Sequence, residues 1–409
     1  MHHLQRASKR HTAVDAALIG ALLVALVVAG LVTAMSTPRS AESGAARTTS
    51  PLASQWVTRA GTQLRLGGKP FRFVGFNFYE AAASAAYQCA PWTRYSAAEL
   101  DAAMGQMHDQ AGATVLRFWA YQTYTQGGTD FSPVDRVIAA ARRHGMRVIP
   151  VLEDGPDNCT TGKRGLAKSV VEGGTWYLSG YRQPFGTATL SYRDYVARVV
   201  SHYRDDPTIL GWMMMNEAET RSRDDMGRSA VVDFATDIGS LIKSIDPRHL
   251  VTVGTQGNGA PGVSGTDFLS IYQLPTIDFA EVHDWASYGS DTTALPGSAD
   301  GHTLPAVTSP GCDGMTGRIA CSFSYALTVL HKPIIIGEAG IAADDTPSRA
   351  RRSDLLTAKM HAAFAAGASG YLVWQWNHVL DSEHYDVLPD TGDPLLPAMR
   401  RTASALTSP

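Results

Sequence analysis

The stretch from Ile209 to Glu219, ILGWMMMNEAE, is the feature that most limits how this chain can fold. Its apolar run follows Asp206-Pro207 and ends abruptly at Asn216 and Glu217. A continuous apolar run bounded by polar residues is typical of a strand that is buried on both faces, as in a parallel sheet. The polar residues at its end are therefore expected at the carboxyl edge of such a sheet, where parallel α/β barrels place their functional groups.

Eight strand-like segments of this kind occur from Phe71 onward, and a helical segment or a long loop separates each pair. The predicted strands are 71–78, 114–119, 147–152, 209–215, 250–253, 279–283, 334–337 and 370–374, after a short hairpin at 56–66. The predicted helices are 96–110, 133–144, 191–203, 229–245 and 348–366. This alternation predicts a closed (β/α)8 TIM barrel rather than an open doubly wound sheet. No GxGxxG motif follows a strand, which argues against dinucleotide binding.

The N-terminal region differs in composition from the barrel. Residues Ala16 to Ala34 are almost wholly apolar and long enough to cross a bilayer, and Arg6, Lys9 and Arg10 precede them, which holds the N-terminus in the cytoplasm. A cleaved signal peptide, giving a secreted domain, is the alternative. We expect a basic cytoplasmic stub at 1–12, a transmembrane signal anchor at 13–35, a flexible linker at 36–54 and an extracellular barrel domain at 55–409, held as a single-pass protein of the cell membrane.

The charge balance and the cysteines indicate which binding partners and which cellular compartment to expect. The 35 basic and 38 acidic residues give a formal charge of -3, so no nucleic-acid partner is expected. Cys89, Cys159, Cys312 and Cys321 suit an oxidising exterior and allow three pairings. Cys312 and Cys321 lie in one glycine-rich segment and are expected to pair locally, which leaves Cys89 with Cys159. We expect a monomer without metal or cofactor.

Polar and ionisable side chains gather at the ends of the predicted strands, and buried strands seldom end in so many of them unless they serve a site. These residues, with one aromatic, are Asn77, Arg117, Asn216, Glu217, His283, Glu338 and Trp374. The motifs DDPTILGWMMMNEAE, VLRFWAYQ, FVGFNFYE, EVHDW, PIIIGEAG and GYLVWQW resemble, in order and spacing, those of the clan A, family 5 glycoside hydrolases, nearest to the β-mannanase-like branch. The resemblance extends from about Trp56 to Asn377.

The resemblance implies a retaining hydrolase in which Glu217 is the acid/base and Glu338 is the nucleophile. Such an enzyme holds one protonated and one ionised carboxyl group about 5 to 5.5 Å apart. Arg117 is the available cation that would keep Glu338 ionised.

The family also implies roles for the neighbouring residues. Asn216 would bind the sugar 2-hydroxyl, His283 would orient the catalytic carboxylates, and Trp374, rather than Trp376, would lie under the cleaved sugar. Asn77 and Trp119 are placed with Arg117 among the substrate-binding residues.

Several questions stay open at the level of sequence. A β-mannan-type polysaccharide is the expected substrate, with exo-β-galactofuranosidase action on cell-wall galactan as the alternative. Many relatives carry His or Asn where the third strand here ends in Glu153 and Asp154, so the glycone subsite is undetermined. A carbohydrate-binding wall protein without catalysis is a competing class.

A third class is a metal-dependent barrel enzyme in which Glu217, Asp284 and Glu338 hold a divalent ion. A separate question concerns the long loop after the third strand, whose aromatic residues could stack on sugars or form the loop's own small core. These residues are Trp176, Tyr177, Tyr181 and Phe185.

Overall fold

The computed structural model describes residues 56–83, 95–154, 174–185, 188–285, 304–309, 312, 318–378 and 384–407. A small antiparallel sheet comes first, formed by Val57–Ala60 (β1), Gln63–Leu66 (β2) and Lys69–Pro70 (β3). The predicted hairpin is therefore confirmed.

Eight parallel strands form the second sheet, and each coincides with a predicted strand. They are Phe73–Asn77 (β4), Val115–Trp119 (β5), Arg147–Val151 (β6), Gly211–Met213 (β7), Leu250–Thr252 (β8), Ala280–Asp284 (β9), Ile334–Ala339 (β10) and Gly370–Val373 (β11). Their spatial order is β8-β7-β6-β5-β4-β11-β10-β9. The end strands β8 and β9 are joined by hydrogen bonds from Asp278 N to Val251 O (2.7 Å) and from His283 N to Gln256 O (3.0 Å). The sheet is thus a nearly closed parallel barrel, as predicted.

The helices cover the outside of this sheet. They are Ala97–Ala111, Ser132–Arg143, Tyr192–Tyr203, Ala230–Ile245, Thr266–Tyr272, Ile319–Ser324, Thr346–Ala365 and Leu395–Thr407. Ser96 and Glu99 form the capping box that begins the first helix, as the sequence predicted. The C-terminal helix was not predicted, and it packs on the first and seventh helices.

All residues of the barrel strands are buried, which explains why their sequences are continuous apolar runs. Buried apolar side chains from the strands and the inner faces of the helices form one core. Polar residues enter this core at the carboxyl ends of the strands. The fold therefore places the polar side chains of different strands at one edge of a rigid sheet.

The aromatic residues after the third strand belong to the core. Trp176, Tyr177 and Tyr181 are at most 3% exposed. All three pack around Phe234 of the helix Ala230–Ile245, with ring centroids 5.0 to 5.6 Å from the Phe234 ring. Of the two roles that the sequence allowed, stacking on sugars or packing in a core, these three residues therefore have the packing role.

The disulfide prediction is confirmed for one pair. Cys312 and Cys321 are bonded, with their Cα atoms 5.2 Å apart. The predicted Cys89–Cys159 pair and the predicted stub, anchor and linker at 1–12, 13–35 and 36–54 lie outside the described residues. Among the helices that the structure describes, none is long and apolar enough to cross a membrane.

Candidate active site

The end of β10 brings Glu338 to the carboxyl edge of the barrel. The register between β10 and β9 shifts between Ile336 and Glu338, so the strand is irregular at Gly337. A Cβ atom at Gly337 would lie 1.8 Å from Oε1 of Glu281 on β9. Only glycine allows β10 to pass this close to the Glu281 carboxylate, which explains the Gly-Glu ending of the strand.

Arg117 on β5 is completely buried and connects three of the predicted site residues. Its Nη1 donates to Oε1 of Glu338 (2.6 Å) and to Oδ1 of Asn77 (2.8 Å), and its Nη2 donates to Oδ1 of Asn216 (2.6 Å). Asn77 is itself fully buried and donates to the carbonyl oxygen of Gly337 (2.9 Å). In this structure Asn77 therefore supports the guanidinium group and the backbone beside Glu338.

His283 on β9 lies between three carboxylates. Its Nδ1 is 2.7 Å from Oε1 of Glu217 and 3.3 Å from Oε2 of Glu338, and its Nε2 is 2.7 Å from Oε1 of Glu281. Burial acts to lower the pKa of His283, but the charges of Glu338 and Glu281 and the hydrogen bonds to Glu217 and Glu281 raise it to about 10. The ring is therefore protonated at neutral pH and donates from both nitrogens.

Glu217 and Glu338 face each other across the end of the barrel. One oxygen of each carboxylate and one nitrogen of His283 all lie within 4.8 Å of one another. The Glu217 side chain is 18% exposed and that of Glu338 is 4% exposed. This separation suits a direct attack by one carboxylate on a sugar, because an inverting pair is placed roughly 6.5 to 9.5 Å apart to admit a water molecule.

The ionisation of Glu338 depends on its neighbours. Burial raises the pKa of the Glu338 carboxyl above its usual value, the charges of His283 and Arg117 oppose the rise, and those of Glu217 and Glu281 add to it. Two buried cations thus support the charged form of a carboxylate that burial alone would neutralise.

Two further donors reach the catalytic carboxylates and were missed from the sequence. Trp285 donates from Nε1 to Oε2 of Glu338 (3.2 Å), and Gln256 donates from Nε2 to Oε1 of Glu217 (3.3 Å). Residues 281, 283 and 285 share one face because side chains alternate along a strand. That period of two within EVHDW is the signal that identifies Glu281 and Trp285.

An aromatic cluster borders the carboxylates. Trp374 is partly exposed and stacks on Tyr79, with centroids 5.2 Å apart and planes at 11°. It also contacts Trp285 (5.9 Å) and Trp119 (6.1 Å). Trp376 is 1% exposed and packs edge-on against Phe76 instead. The structure therefore places Trp374 and Trp119, but not Trp376, with the other predicted site residues.

The third strand adds two acidic residues beside Asn216. Oδ2 of Asp154 accepts a hydrogen bond from Nδ2 of Asn216 (3.3 Å), and the carbonyl oxygen of Glu153 accepts one from Asn216 N (2.7 Å). Burial raises the pKa of Glu153 to about 7, and burial together with the charges of Glu217 and Glu153 raises the pKa of Asp154 well above its usual value. Neutral carboxyl groups are thus favoured at this strand end.

The donor set proposed for a metal site is not assembled. Asp284 points towards the helices, where its carboxylate accepts hydrogen bonds from Lys359 Nζ (3.1 Å) and Tyr371 OH (3.3 Å). The alternative in which Asp284 joins Glu217 and Glu338 is therefore not supported, because neighbouring residues on a strand point to opposite faces. His283 lies close enough to both glutamates to complete a donor set, and a metal there would have to displace the proton from its ring nitrogen.

Comparison with known proteins identifies the family. A model of the cellulase family (glycosyl hydrolase family 5) matches residues 67–379. Mannan endo-1,4-beta-mannosidase 1 of Oryza sativa subsp. japonica is 29% identical over 368 residues, covering 78% of this chain and 78% of that protein. Mannan endo-1,4-beta-mannosidase 8 of the same plant is 30% identical, covering 71% of this chain and 80% of that protein.

A solved structure agrees in fold. The endo-1,4-beta-mannanase of Rhizomucor miehei superimposes with a TM-score of 0.61 at 18% identity, covering 86% of this chain and 99% of that chain. The sequence match, the parallel barrel and the facing carboxylates agree with one another. The chain belongs to glycosyl hydrolase family 5, a family of retaining glycoside hydrolases.

Proposed function

We propose that this family 5 enzyme cleaves a β-mannan-type polysaccharide by double displacement, with Glu338 as nucleophile and Glu217 as acid/base. The observation that carries the proposal is the close approach of the two carboxylates, within 4.8 Å, in unequal surroundings. Glu338 receives hydrogen bonds from Arg117 and Trp285, whereas Glu217 is the more exposed of the two. Such asymmetry separates an ionised nucleophile from a group that exchanges protons.

In the first step, a carboxylate oxygen of Glu338 attacks the anomeric carbon of the sugar. The bond to the glycosidic oxygen breaks, its electron pair stays on that oxygen, and Glu217 gives the oxygen a proton. The product is a glycosyl ester of Glu338, a shortened glycan chain and an ionised Glu217. Arg117 and Trp285 hold the Glu338 carboxylate in place for the attack.

In the second step, water attacks the same carbon and gives a proton to Glu217 while the ester bond to Glu338 breaks. Both carboxyl groups return to their starting states, and two inversions leave the configuration unchanged. Asn216 directly precedes Glu217, and its side-chain oxygen accepts from the same guanidinium group that holds Glu338. This position supports the role that the family implies for it, contact with the sugar 2-hydroxyl.

The substrate class is supported by the relatives and by the aromatic cluster. The two rice relatives at 29% and 30% identity are named mannan endo-1,4-beta-mannosidases. The partly exposed ring of Trp374, stacked on Tyr79, offers a surface for a sugar ring. The presence of both carboxylates in reacting geometry argues against a binding protein without catalysis.

A turnover assay tests the substrate. The purified full-length protein is incubated with β-mannan, β-glucan and cell-wall galactan, and the products are sized, with the Glu217→Ala/Glu338→Ala double variant as the control. Manno-oligosaccharides are expected. Monosaccharide galactose released from galactan with mannan untouched would establish the galactofuranosidase alternative. Binding without turnover, even of activated aryl glycosides, would establish the non-catalytic one.

For the cellular setting, we propose that residues 13–35 anchor the enzyme in the cell membrane with the barrel outside. The apolar stretch and the preceding basic residues support this topology. A flexible linker at 36–54 would span only on the order of 25 Å, so the enzyme would meet glycans of its own envelope first. Membrane fractions washed with carbonate should retain the full chain but not a variant lacking residues 1–35.

A further inference from the structure

His283 contacts a carboxylate through each of its ring nitrogens. Nδ1 lies 2.7 Å from Oε1 of Glu217, and Nε2 lies 2.7 Å from Oε1 of Glu281. Nδ1 also lies 3.3 Å from Oε2 of Glu338. Ionised carboxylates only accept hydrogen bonds, so a ring between the carboxylates of Glu338 and Glu281 is satisfied only when both nitrogens carry hydrogen. The geometry therefore specifies an imidazolium ion rather than either neutral tautomer.

Glu281 is the more unusual partner, because a side chain with no exposed surface cannot touch a bound sugar. Its side chain is fully buried, and it packs so closely on β10 that residue 337 must be glycine. Tyr272 and Thr255 donate to its backbone oxygen, not to its carboxylate. Within the described part of the chain, Oε2 has no hydrogen-bond partner, and Oε1 accepts only from His283. Such a buried carboxylate requires a cation at His283.

The charges of the cluster balance in both steps of a double displacement. Before reaction, Arg117 and His283 are positive, Glu281 and Glu338 are negative, and Glu217 is protonated, so the sum is zero. In the glycosyl ester, Glu338 is neutral and Glu217 is ionised, and the sum is again zero. A constant net charge avoids the cost of creating an unpaired charge in a buried site.

We propose that Glu281 is a positioning residue that keeps His283 in its imidazolium form through both steps. The ring then donates permanently to the catalytic carboxylates and does not act as a base. The inference rests on the proposed roles of Glu217 and Glu338. It adds a third carboxylate, on the far side of the histidine ring, to the groups that the reaction needs.

Other charged and titratable groups around the ring do not substitute for Glu281. Glu217 and Glu338 face Nδ1, and Arg117 approaches only the opposite oxygen of Glu338. Asp284, with Lys359 and Tyr371, lies on the other face of β9. Trp285 and Gln256 are neutral donors to the two catalytic glutamates. Glu281 is therefore the group that sets the protonation of Nε2.

Loss of the Glu281 charge should shift the pH dependence of catalysis in a predictable direction. When Glu281 becomes glutamine, the pKa of His283 falls and the ring becomes neutral within the working pH range. Glu338 and Glu217 then lose a cation at 3.3 and 2.7 Å. Removal of the negative charge of Glu281 would by itself lower the pKa of Glu338 and of Glu217. Because Glu281 lies farther from them, beyond the histidine ring, this effect is smaller than the loss of the His283 charge. Both limbs of the pH profile of kcat/KM should move to higher pH.

The test combines NMR with kinetics. Histidine labelled with ¹⁵N in the rings is incorporated, and the His283 signals are identified by their loss in His283→Gln. In the wild-type protein both ring nitrogens should remain protonated at pH 8. In Glu281→Gln the ring should titrate at least one pH unit lower, the acidic limb of kcat/KM should rise by about one unit, and kcat should fall about tenfold. Glu281→Asp, which keeps the charge, should restore the wild-type profile in part.

A matched control is Asp246→Asn. Asp246 is a buried carboxylate hydrogen-bonded to the ring of His249, and both residues precede β8, at the amino end of the barrel. Loss of this pair perturbs the fold in a similar way, yet the pH profile should stay unchanged. A profile that shifts equally in both variants would assign Glu281 a structural role only.

The ¹⁵N spectrum of the wild-type protein tests the protonation state of His283 even if Glu281→Gln does not fold. A neutral His283 ring in the wild-type protein at pH 8 overturns the proposal, as does an unchanged His283 titration in Glu281→Gln. The NMR measurement needs no substrate, so a failure of the proposed catalytic roles would appear in the variants of Glu217 and Glu338 instead.

Discussion

Oε1 of Glu338 accepts a hydrogen bond of 2.6 Å from Nη1 of Arg117, and the two side chains are 4% and 0% exposed. A buried ion pair of this kind gains little net stability, because the desolvation of both charges offsets their attraction. The ion pair instead fixes the positions of the side chains around it. Arg117 also donates to Asn77 and Asn216, so one guanidinium group fixes the carboxylate of β10 relative to β4 and to the end of β7.

Arg117→Met should abolish turnover and destabilise the fold. Removal of Arg117 leaves the buried cluster of Glu338, Glu281 and His283 with an unbalanced negative charge, and loss of one partner of a buried ion pair costs about 3 to 5 kcal/mol in the free energy of unfolding. Urea denaturation at pH 7 measures the loss. Arg223→Met is the matched control, because it breaks the more exposed pair with Asp267 (2.8 Å) and should cost at most about 1 kcal/mol. Equal losses in the two variants would contradict the role given to Arg117.

Trp285→Phe should reduce kcat about 10- to 100-fold, because it removes the N–H that donates to Oε2 of Glu338 while a ring remains. Hydrogen bonds to charged groups contribute about 1.5 to 3 kcal/mol. The acidic limb of the pH profile should also move to higher pH, since Glu338 loses a donor to its charged form. Trp376→Phe is the control, because within the described residues its Nε1 has no hydrogen-bond partner. An unchanged acidic limb in Trp285→Phe would argue against the contact.

The eight barrel strands were predictable because each is buried on both faces and therefore appears as an uninterrupted apolar run. The polar residues that end these runs could be recognised for the same reason. Glu217, His283 and Glu338 stand directly after or within such runs. Backbone geometry then brings them together, since parallel strands place their carboxyl ends at one edge.

Other features depend on contacts that no local pattern contains. The C-terminal helix Leu395–Thr407 is held by two distant helices, so its sequence alone was not distinctive. Gln256 lies in a loop after β8, and only the three-dimensional structure brings its amide to Glu217. The orientation of Asp284 towards Lys359, which argues against the competing metal-site hypothesis, follows from the alternation of side chains along β9.

Glu153→Gln should stabilise the protein at neutral pH and leave its stability unchanged at low pH. The folded-state pKa of Glu153 is raised to about 7 from 4.5, so its contribution to stability is fully present below pH 4.5 and is lost as the pH rises through about 7. Glutamine mimics the neutral form and keeps an acceptor for the N–H of Asp154. Unfolding free energies measured from pH 4 to 8 should diverge over this window.

Glu99→Gln is the matched control for that series and should behave with the opposite sign. Hydrogen bonds from Ser96 lower the pKa of Glu99, so its contribution is present above its ordinary pKa and is lost as the pH falls. The variant should therefore be slightly less stable at neutral pH and equal to the wild type at low pH. The same trend in both variants would contradict the burial effect at Glu153.

Glu338→Ala should abolish turnover, because no other described side chain lies in position to form the glycosyl ester. Added azide or formate should restore the cleavage of activated aryl glycosides, since a small anion can occupy the space of the missing carboxylate and attack directly. One displacement replaces two, so the product should have inverted configuration, which NMR of the glycosyl azide determines. A rescued product of retained configuration would remove Glu338 from the role of nucleophile.

Glu217→Ala should separate substrates by the quality of their leaving groups. A dinitrophenyl glycoside needs no proton, so its glycosylation step should stay fast, whereas natural glycosides should lose about 10²- to 10⁴-fold in rate. The ester should then accumulate, because the base that activates water is missing, and a burst of dinitrophenolate should precede slow turnover. Azide should speed the second step and give a product of retained configuration. Equal losses with good and poor leaving groups, or rescue with inversion, would show that Glu217 is not the acid/base.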